Sequence, residues 1–571
     1  METPTDRKPP EQVAEKTSIG ATRRELFHIG NVLALPVLMS AWEADAAPAP
    51  GPLKAGPGME IYQSIGVEPV INCRGTFTII GASVELPEVR AAMEAACQYN
   101  VQLDELADAV GRRLAELTGA EWGMVSAGCA AGLKHVTAAC VAGGNPEKLI
   151  RIPDLTGFDK TEVVIPRSSR SVYDHAIRNI GVKVIMVDTA EELANALNPR
   201  TAMIYLSAGG PSATGPLALE NVAKIAKPKD IPILVDAAAE ILTIPNVHLQ
   251  KGATIVAYSG GKAIRGPQCA GLLLGRKDIL MSAWQASSPH HGPGRDNKVG
   301  REETIGMLAA VEAWKKRDHE GEWKTWLSWL DTISKRVSTI DSVKTSVREP
   351  QGLSNRSPGL TISWDPAKLN ITGEEVSEEL ATTKPRIALG GGGGGGGGGR
   401  GGRGGAADSG STSVSITAWQ MQPDDAKTVA DRLYAVLSQK RSPKPVTATP
   451  APAANLSGRW DVSVEFFSSK SQHTLYITQE GNRIQGSHKG DFSTRDVFGT
   501  IEGDQIKLRS QLSAPGDSVG FIFAGTLAGD TFSGPIYMGE YLNAKFTAKR
   551  YNYPAGPGAA IRIPTGPPLA N

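Results

Sequence analysis

The chain is poor in the residues that build cross-linked or metal-held folds. Its 571 residues include only 5 cysteines, Cys73, Cys97, Cys129, Cys140 and Cys269, an odd number confined to one half and without a Cys-x-x-Cys pair. That pattern excludes a disulfide framework and a zinc site. An excess of either charge is missing too: 60 Lys and Arg stand against 59 Asp and Glu, interspersed along the chain. Such a chain sets up no net field for nucleic acid or an anionic membrane. Beyond residue 46 no apolar run approaches the ~20 residues a spanning helix needs. Nucleotide signatures are also lacking. The turn from Gly128 to Ala131 is not a Gly-x-Gly-x-x-Gly fingerprint, no Walker A sequence occurs, and around Lys262 a P-loop would need glycine at Val256 and Ser or Thr at Ala263.

What is present begins with a leader. Arg23 and Arg24 precede an apolar stretch from Ile29 to Trp42, and Ala44-Asp45-Ala46 follows with small residues at cleavage spacing. Charged start, short apolar core and small-residue exit are the parts of an export signal. The paired arginines resemble the bacterial twin-arginine type, which exports folded, cofactor-loaded proteins. The expectation is a signal over residues 1–46 and a soluble, periplasmic or secreted mature protein without stable membrane insertion.

Residues 47–58 are rich in Pro, Gly and Ala and read as a linker. From Pro87 to Gly119 apolar residues recur at helical spacing. Strand and helix then alternate: strands at Val163–Ile165, Val182–Val187, Ala202–Leu206 and Ile233–Val235, with helices at Tyr173–Ile180, Ala190–Leu197 and Asn221–Lys227. Alternation of this kind builds a mainly parallel sheet covered by helices on both faces. Residues 59–320 thus read as a large α/β domain, and residues 321–440 as a smaller one. The glycine run within 390–410 predicts a disordered, expanded hairpin loop between strands at Arg386–Leu389 and Ser413–Ile416. A Pro-rich linker occupies 441–455. Period-two alternation with Gly-Asn and Gly-Asp turns then predicts an antiparallel β-barrel or sandwich over 456–551, followed by a tail over 552–571.

The chemistry centres on Tyr258-Ser259-Gly260-Gly261-Lys262, between two apolar strands. A lysine at the end of a core strand must be neutralised, paired or used covalently, because burying an ammonium is costly. The covalent use that fits is a Schiff base to pyridoxal phosphate. Asp236, ending the strand Ile233–Val235, would face the pyridine nitrogen of that cofactor. Ligands in parallel sheets sit beyond the carboxyl ends of strands, where both residues lie. Ser126-Ala127-Gly128-Cys129-Ala130 joins a strand to a helix whose first amides make an anion cradle. His175 is a candidate to cover the ring. His290-His291 lacks a third ligand in suitable spacing, so no metal is expected.

Residues 70–314 resemble the selenocysteine synthase (L-seryl-tRNA selenium transferase) family and its bacterial ammonia-lyase relatives. The resemblance rests on Val70-Ile71-Asn72, Val125 to Gly128, Val235 to Ala238, Ser259 to Lys262 with Gly266-Pro267-Gln268, and Lys298 to Glu303. It implies an aspartate-aminotransferase-like large domain of fold type I, with pyridoxal phosphate on Lys262 and Asp236 as the pyridine partner. Ser259 and the turn after Ser126 would then bind phosphate. It also implies an active site completed in a homodimer or higher homo-oligomer. Arg295, Lys298 and Arg301 recur every third residue and could converge on an anionic substrate group, with Arg74 as a second candidate.

The expected function is elimination or β-replacement at the α-amino carbon of an amino acid or amino-sugar-like substrate. Transamination, racemisation and aldol cleavage use the same residues. A non-catalytic binding protein on the same scaffold is the competing class. Selenium transfer to tRNA fits neither the export signal nor the balanced charge.

Overall fold

The computed structural model describes residues 52–392, 412–443 and 449–552, apart from 55 and 57. The leader, most of the glycine run and the tail lie outside the described residues. The chain divides into two compact units, one dominated by the two α/β domains and one by the C-terminal strands.

In the first unit a seven-stranded sheet contains Trp122–Ser126 (β2), Glu162–Pro166 (β3), Lys183–Val187 (β4), Thr201–Ser207 (β5), Ile233–Asp236 (β6), Ile255–Ser259 (β7) and Gly271–Gly275 (β8). Their order is β2-β8-β7-β6-β5-β3-β4. β3 to β7 run parallel, whereas β8 is antiparallel to both β2 and β7. Successive side chains of a strand point to opposite faces, and here both faces are core. Ile204, Val235, Val256 and Leu272 pack into one cluster. Met203, Tyr205, Leu234, Ile255 and Leu273 pack into the other. Full burial of each such aliphatic side chain contributes about 1.5–3 kcal/mol.

The second sheet has the order β1-β11-β12-β10-β9. Its strands are Val70–Cys73 (β1), Lys344–Arg348 (β9), Gly359–Trp364 (β10), Arg386–Gly392 (β11) and Thr412–Thr417 (β12). β1 pairs in parallel with β11, so the Asn72 strand belongs to this sheet and places Cys73 in its core. The disordered loop expected over 390–410 does not take in its first three residues, and 393–410 lie outside the described residues. Gly390, Gly391 and Gly392 continue β11 and pair with Ser415, Val414 and Ser413. The helix expected over Tyr173–Ile180 is shorter, with a 3-10 turn Val172–Asp174 followed by His175–Arg178. Asp174 explains the break: its buried carboxylate takes the guanidinium groups of Arg170 and Arg178 and caps the turn.

The second unit holds a closed barrel of eight antiparallel strands in sequential order, from Gly458–Glu465 (β13) to Asn543–Arg550 (β20). β20 returns to pair with β13, Trp460 opposite Arg550. Closure leaves no free sheet edge. The hairpins at Gly481, Gly503 and Gly529 carry φ of 57°, 60° and 60° at the first loop position, which glycine adopts without a Cβ clash. Inside, Trp460 meets Phe532 at 4.9 Å and Phe523 meets Phe546 at 5.1 Å between ring centroids.

The barrel also buries a polar chain. His488 Nδ1 bonds Ser510 Oγ at 2.8 Å, and its Nε2 bonds His473 Nδ1 at 2.9 Å. Burial pushes His488 down from 6.5 to about 3, with His473 and Arg495 adding to the shift. The folded barrel therefore resists protonation that the unfolded chain accepts. Stability is full above the unfolded value of 6.5 and is lost as pH falls from there towards 3. The unfolding transition of the barrel in the full-length protein is accordingly expected at lower temperature at pH 5 than at pH 7.5. A His488→Leu variant should flatten that difference in calorimetry.

Candidate active site

The site forms where β7 turns back into β8. Gly260 N donates to Ala270 O at 2.8 Å and Gly266 N to Gly260 O at 2.9 Å, closing a compact loop around Lys262. A Cβ on Gly261 would come within 2.6 Å of Gln268 Cα, so the loop needs a bare backbone there. Lys262 is half-buried. Its amino group has no hydrogen-bond or ion-pair partner among the described residues. A partly desolvated amine left unpaired is suited to covalent use.

Asp236 ends β6 opposite Ala257 of β7. Three groups address its carboxylate. Tyr205 donates its hydroxyl to Oδ2 at 2.9 Å, Ala238 donates its amide to Oδ1 at 3.1 Å, and the Cys129 thiol lies 3.6 Å from Oδ1. Burial drives the Cys129 thiol well above its ordinary value; the Asp236 carboxylate raises it further, while the Lys262 charge opposes the rise. One sulfur therefore senses both Asp236 and Lys262. No ion pair within 4 Å joins those two side chains among the described residues.

Cys129 opens the helix Cys129–Ala142 (α1), whose N-cap, Gly128, has φ 85° and no capping side chain. Gly132 N bonds Gly128 O at 3.1 Å. The amides of Cys129, Ala130 and Ala131 ahead of it have no partner among the described residues and present a donor cluster at the positive end of α1. β8 presses on this turn so closely that a Cβ on Gly271 would meet Cys129 N at 2.7 Å. Ser126 is spent on the turn itself. It is buried, and its hydroxyl donates to Gly128 O at 2.9 Å. Ser259 ends β7 half-buried beside the Lys262 loop. The uncapped amides, the unpaired lysine and the strand-end carboxylate fit the phosphate, aldehyde and ring nitrogen of pyridoxal phosphate.

The predicted cations separate. Arg295 and Lys298 lie in the irregular segment 291–300, whereas Arg301 opens the helix Arg301–Lys316. Arg301 instead donates to the Ala96 and Cys97 carbonyls at the end of the helix Pro87–Ala96, at 3.3 and 3.1 Å, and pairs with Glu302. Arg295 Nη1 donates to Ser288 Oγ at 3.0 Å, and Lys298 has no hydrogen-bond or ion-pair partner among the described residues. The loop that carries them is anchored by Lys134, which reaches Asp296 at 2.8 Å and Asn297 at 3.0 Å. His175 is exposed and starts its four-residue helix.

Arg74 keeps an unpaired charge. Its guanidinium lies 4.2 Å from the Phe77 ring centroid, with no carboxylate partner among the described residues, and burial lowers its pKa. The Arg74 segment is tied to the Lys262 loop at two points. Gln268 Nε2 donates to Thr78 O at 3.3 Å and Arg265 Nε to Val84 O at 3.0 Å.

Tyr205, as a partner of Asp236, escapes sequence reasoning, although a tyrosine inside a wholly apolar strand signals a hydroxyl in need of an acceptor. Lys134 gave no such signal: a lone lysine in a helix pattern reads as surface.

Residues 69–298 match the model of the Cys/Met metabolism PLP-dependent enzyme family. D-glucosaminate-6-phosphate ammonia lyase of Salmonella typhimurium is 29% identical over 301 residues, 51% of this chain and 79% of that protein. A solved structure of D-glucosaminate-6-phosphate ammonia-lyase superposes with TM-score 0.57 at 24% identity, covering 66% of this chain and 98% of that one. A 5'-C-glycyluridine monooxygenase-decarboxylase from a Streptomyces species is 29% identical over 341 residues, 57% of this chain and 83% of that protein. The L-seryl-tRNA(Sec) selenium transferase of Hyphomonas neptunium is 26% identical over 255 residues, 39% of this chain and 53% of that protein. The chain is a pyridoxal-phosphate-dependent enzyme of fold type I, related to ammonia-lyase and selenium-transferase enzymes and extended by a closed eight-stranded β-barrel.

Proposed function

We propose that this enzyme eliminates or replaces a group β to the amino-bearing carbon of an anionic amino acid or amino-sugar acid. The observation that carries the proposal is the unpaired amine of Lys262 near enough to bear on the Cys129 thiol, which itself lies 3.6 Å from the Asp236 carboxylate. Pyridoxal phosphate supplies an electron sink for the pair left on Cα when its proton departs. Lys262 would hold the cofactor, and its amine, once free, would serve as the base for the Cα proton and the acid for the leaving group. Asp236 would face the ring nitrogen and favour its protonated form by charge pairing. The α1 amides would hold the cofactor phosphate. Arg74 receives a substrate carboxylate or phosphate, with Arg295 and Lys298 as further cations from the 291–300 loop.

Release of ammonia from a phosphorylated amino-sugar acid is the favoured form, by likeness to the Salmonella enzyme. Amino acids and phosphorylated amino-sugar acids should be screened for a shift of the cofactor's absorbance band and for ammonia release. Keto-acid formation dependent on an amino acceptor, or exchange of the α-proton without elimination, would overturn this reading in favour of transamination or racemisation.

Arg74→Met should raise KM for the anionic substrate about 10- to 100-fold, the size of one charge-assisted contact, and leave the cofactor's spectrum unchanged. Steady-state kinetics beside an absorbance scan checks both halves.

The location proposed is outside the cytoplasm, supported by Arg23-Arg24 before the apolar stretch and the small residues at 44–46. Among the described residues no helix is long and apolar enough to cross a membrane. Cell fractionation should find a protein shortened by about 46 residues, the length of the leader. Loss of export after Arg23→Lys with Arg24→Lys is the matching result. A homodimer is proposed by likeness to enzymes of this fold, and light scattering of the purified protein tests it.

A further inference from the structure

Tyr205 lies in β5 with no exposed surface, in a strand buried from Thr201 to Leu206. A phenol placed there is costly unless its hydroxyl is bonded. The acceptor it finds is Oδ2 of Asp236 at 2.9 Å. The other carboxylate oxygen is taken by the Ala238 amide and approached by the Cys129 thiol. Burial, and then the neighbouring carboxylate, push the Tyr205 phenol well above its ordinary value, so the group remains a donor at any working pH. A carboxylate held at one oxygen by a buried phenol is fixed in its orientation.

We propose that Tyr205 is a positioning residue: the hydrogen bond it donates fixes the orientation of Asp236 and so sets how strongly that carboxylate holds the cofactor's ring nitrogen. The inference rests on the placement of Asp236 at the ring nitrogen proposed above. It concerns a residue that does not touch the cofactor, and its effect is on affinity and spectrum before any turnover.

The test uses the full-length holoenzyme. Tyr205→Phe keeps the ring in the core and removes only the hydroxyl. The dissociation constant for pyridoxal phosphate is expected to rise about tenfold, the size of one charge-assisted hydrogen bond. The pH midpoint of the bound cofactor's absorbance should move by about half a unit or more. A fluorinated tyrosine at 205, which keeps the fold and strengthens the donor, should move that midpoint in the opposite direction. Cys129→Ala should move both readouts less, because a thiol is a weak donor. Asp236→Asn separates the two levels of the argument. If it changes affinity and midpoint while both Tyr205 variants leave them as in the wild type, the role of Tyr205 is overturned and that of Asp236 stands. If Asp236→Asn itself changes neither, the placement of Asp236 is overturned first.

Discussion

Lys262→Ala is expected to yield a folded protein without the visible absorbance of a lysine-bound cofactor and with turnover reduced about 10³-fold or more, the loss typical of removing both an attachment point and a general base. The fold should survive because the amine makes no hydrogen bond or ion pair among the described residues. The loop geometry around it is set by backbone bonds of Gly260, Gly266 and Ala270. Thermal unfolding should therefore move little, in line with the ~0.5 kcal/mol range of substitutions that break no contact. Added amines of small size are expected to restore part of the rate, since the missing function is a base in a cavity. An alanine variant that retains both spectrum and activity would place the reactive lysine elsewhere.

Asp236→Asn has the next largest expected effect. It keeps the shape of the side chain and removes its charge. A carboxylate within pairing distance raises a partner's basicity by roughly one to three units. Its loss leaves the ring nitrogen largely unprotonated at neutral pH, and turnover should fall about 10- to 1,000-fold, because each unit is a factor of ten. The amide also presents an NH₂ to groups that now donate to an acceptor: Tyr205, Ala238 and Cys129 all face the carboxylate. One bond must therefore be lost or inverted. A drop in melting temperature accompanies the loss of rate, unlike Lys262→Ala. Measuring both quantities on both variants distinguishes a residue used for chemistry alone from one used for chemistry and local structure.

The two sheets differed in how plainly the sequence announced them. Ile165, Ile204, Val235 and Val256 sit in runs that are apolar on both faces, as parallel strands between helices must be, so the runs are continuous and easily read. The barrel strands alternate instead, Trp460, Val462 and Val464 pointing inward from β13, and that period identifies them just as well. β9 carries Lys344, Ser346 and Arg348 at the sheet edge, mostly exposed, and gives no apolar signal. The partner of β1 lies more than 300 residues away in β11, a pairing that local pattern does not encode.

The site was legible where chemistry demands a rare residue at a strand end, as with Lys262 and Asp236. It was harder to read where evenly spaced cations fall in irregular backbone ahead of a helix. Arg295, Lys298 and Arg301 are evenly spaced, but spacing aligns side chains only on a regular element, and Arg301, opening the next helix, donates to the carbonyls of Ala96 and Cys97. Ser126 looked like a phosphate ligand by type, yet a buried hydroxyl takes the nearest acceptor, here Gly128 O. Non-local demands of this sort, an orphan hydroxyl or a loop in search of an anchor, are met only after the chain has folded.

The central claim is that the ε-amine of Lys262 carries the cofactor. Reducing the holoenzyme with borohydride, digesting it and mapping the pyridoxyl mass by mass spectrometry tests that claim most directly. The account predicts the tag on the peptide containing Ser259-Gly260-Gly261-Lys262. A tag on any other lysine, or none after loading with pyridoxal phosphate, would contradict it.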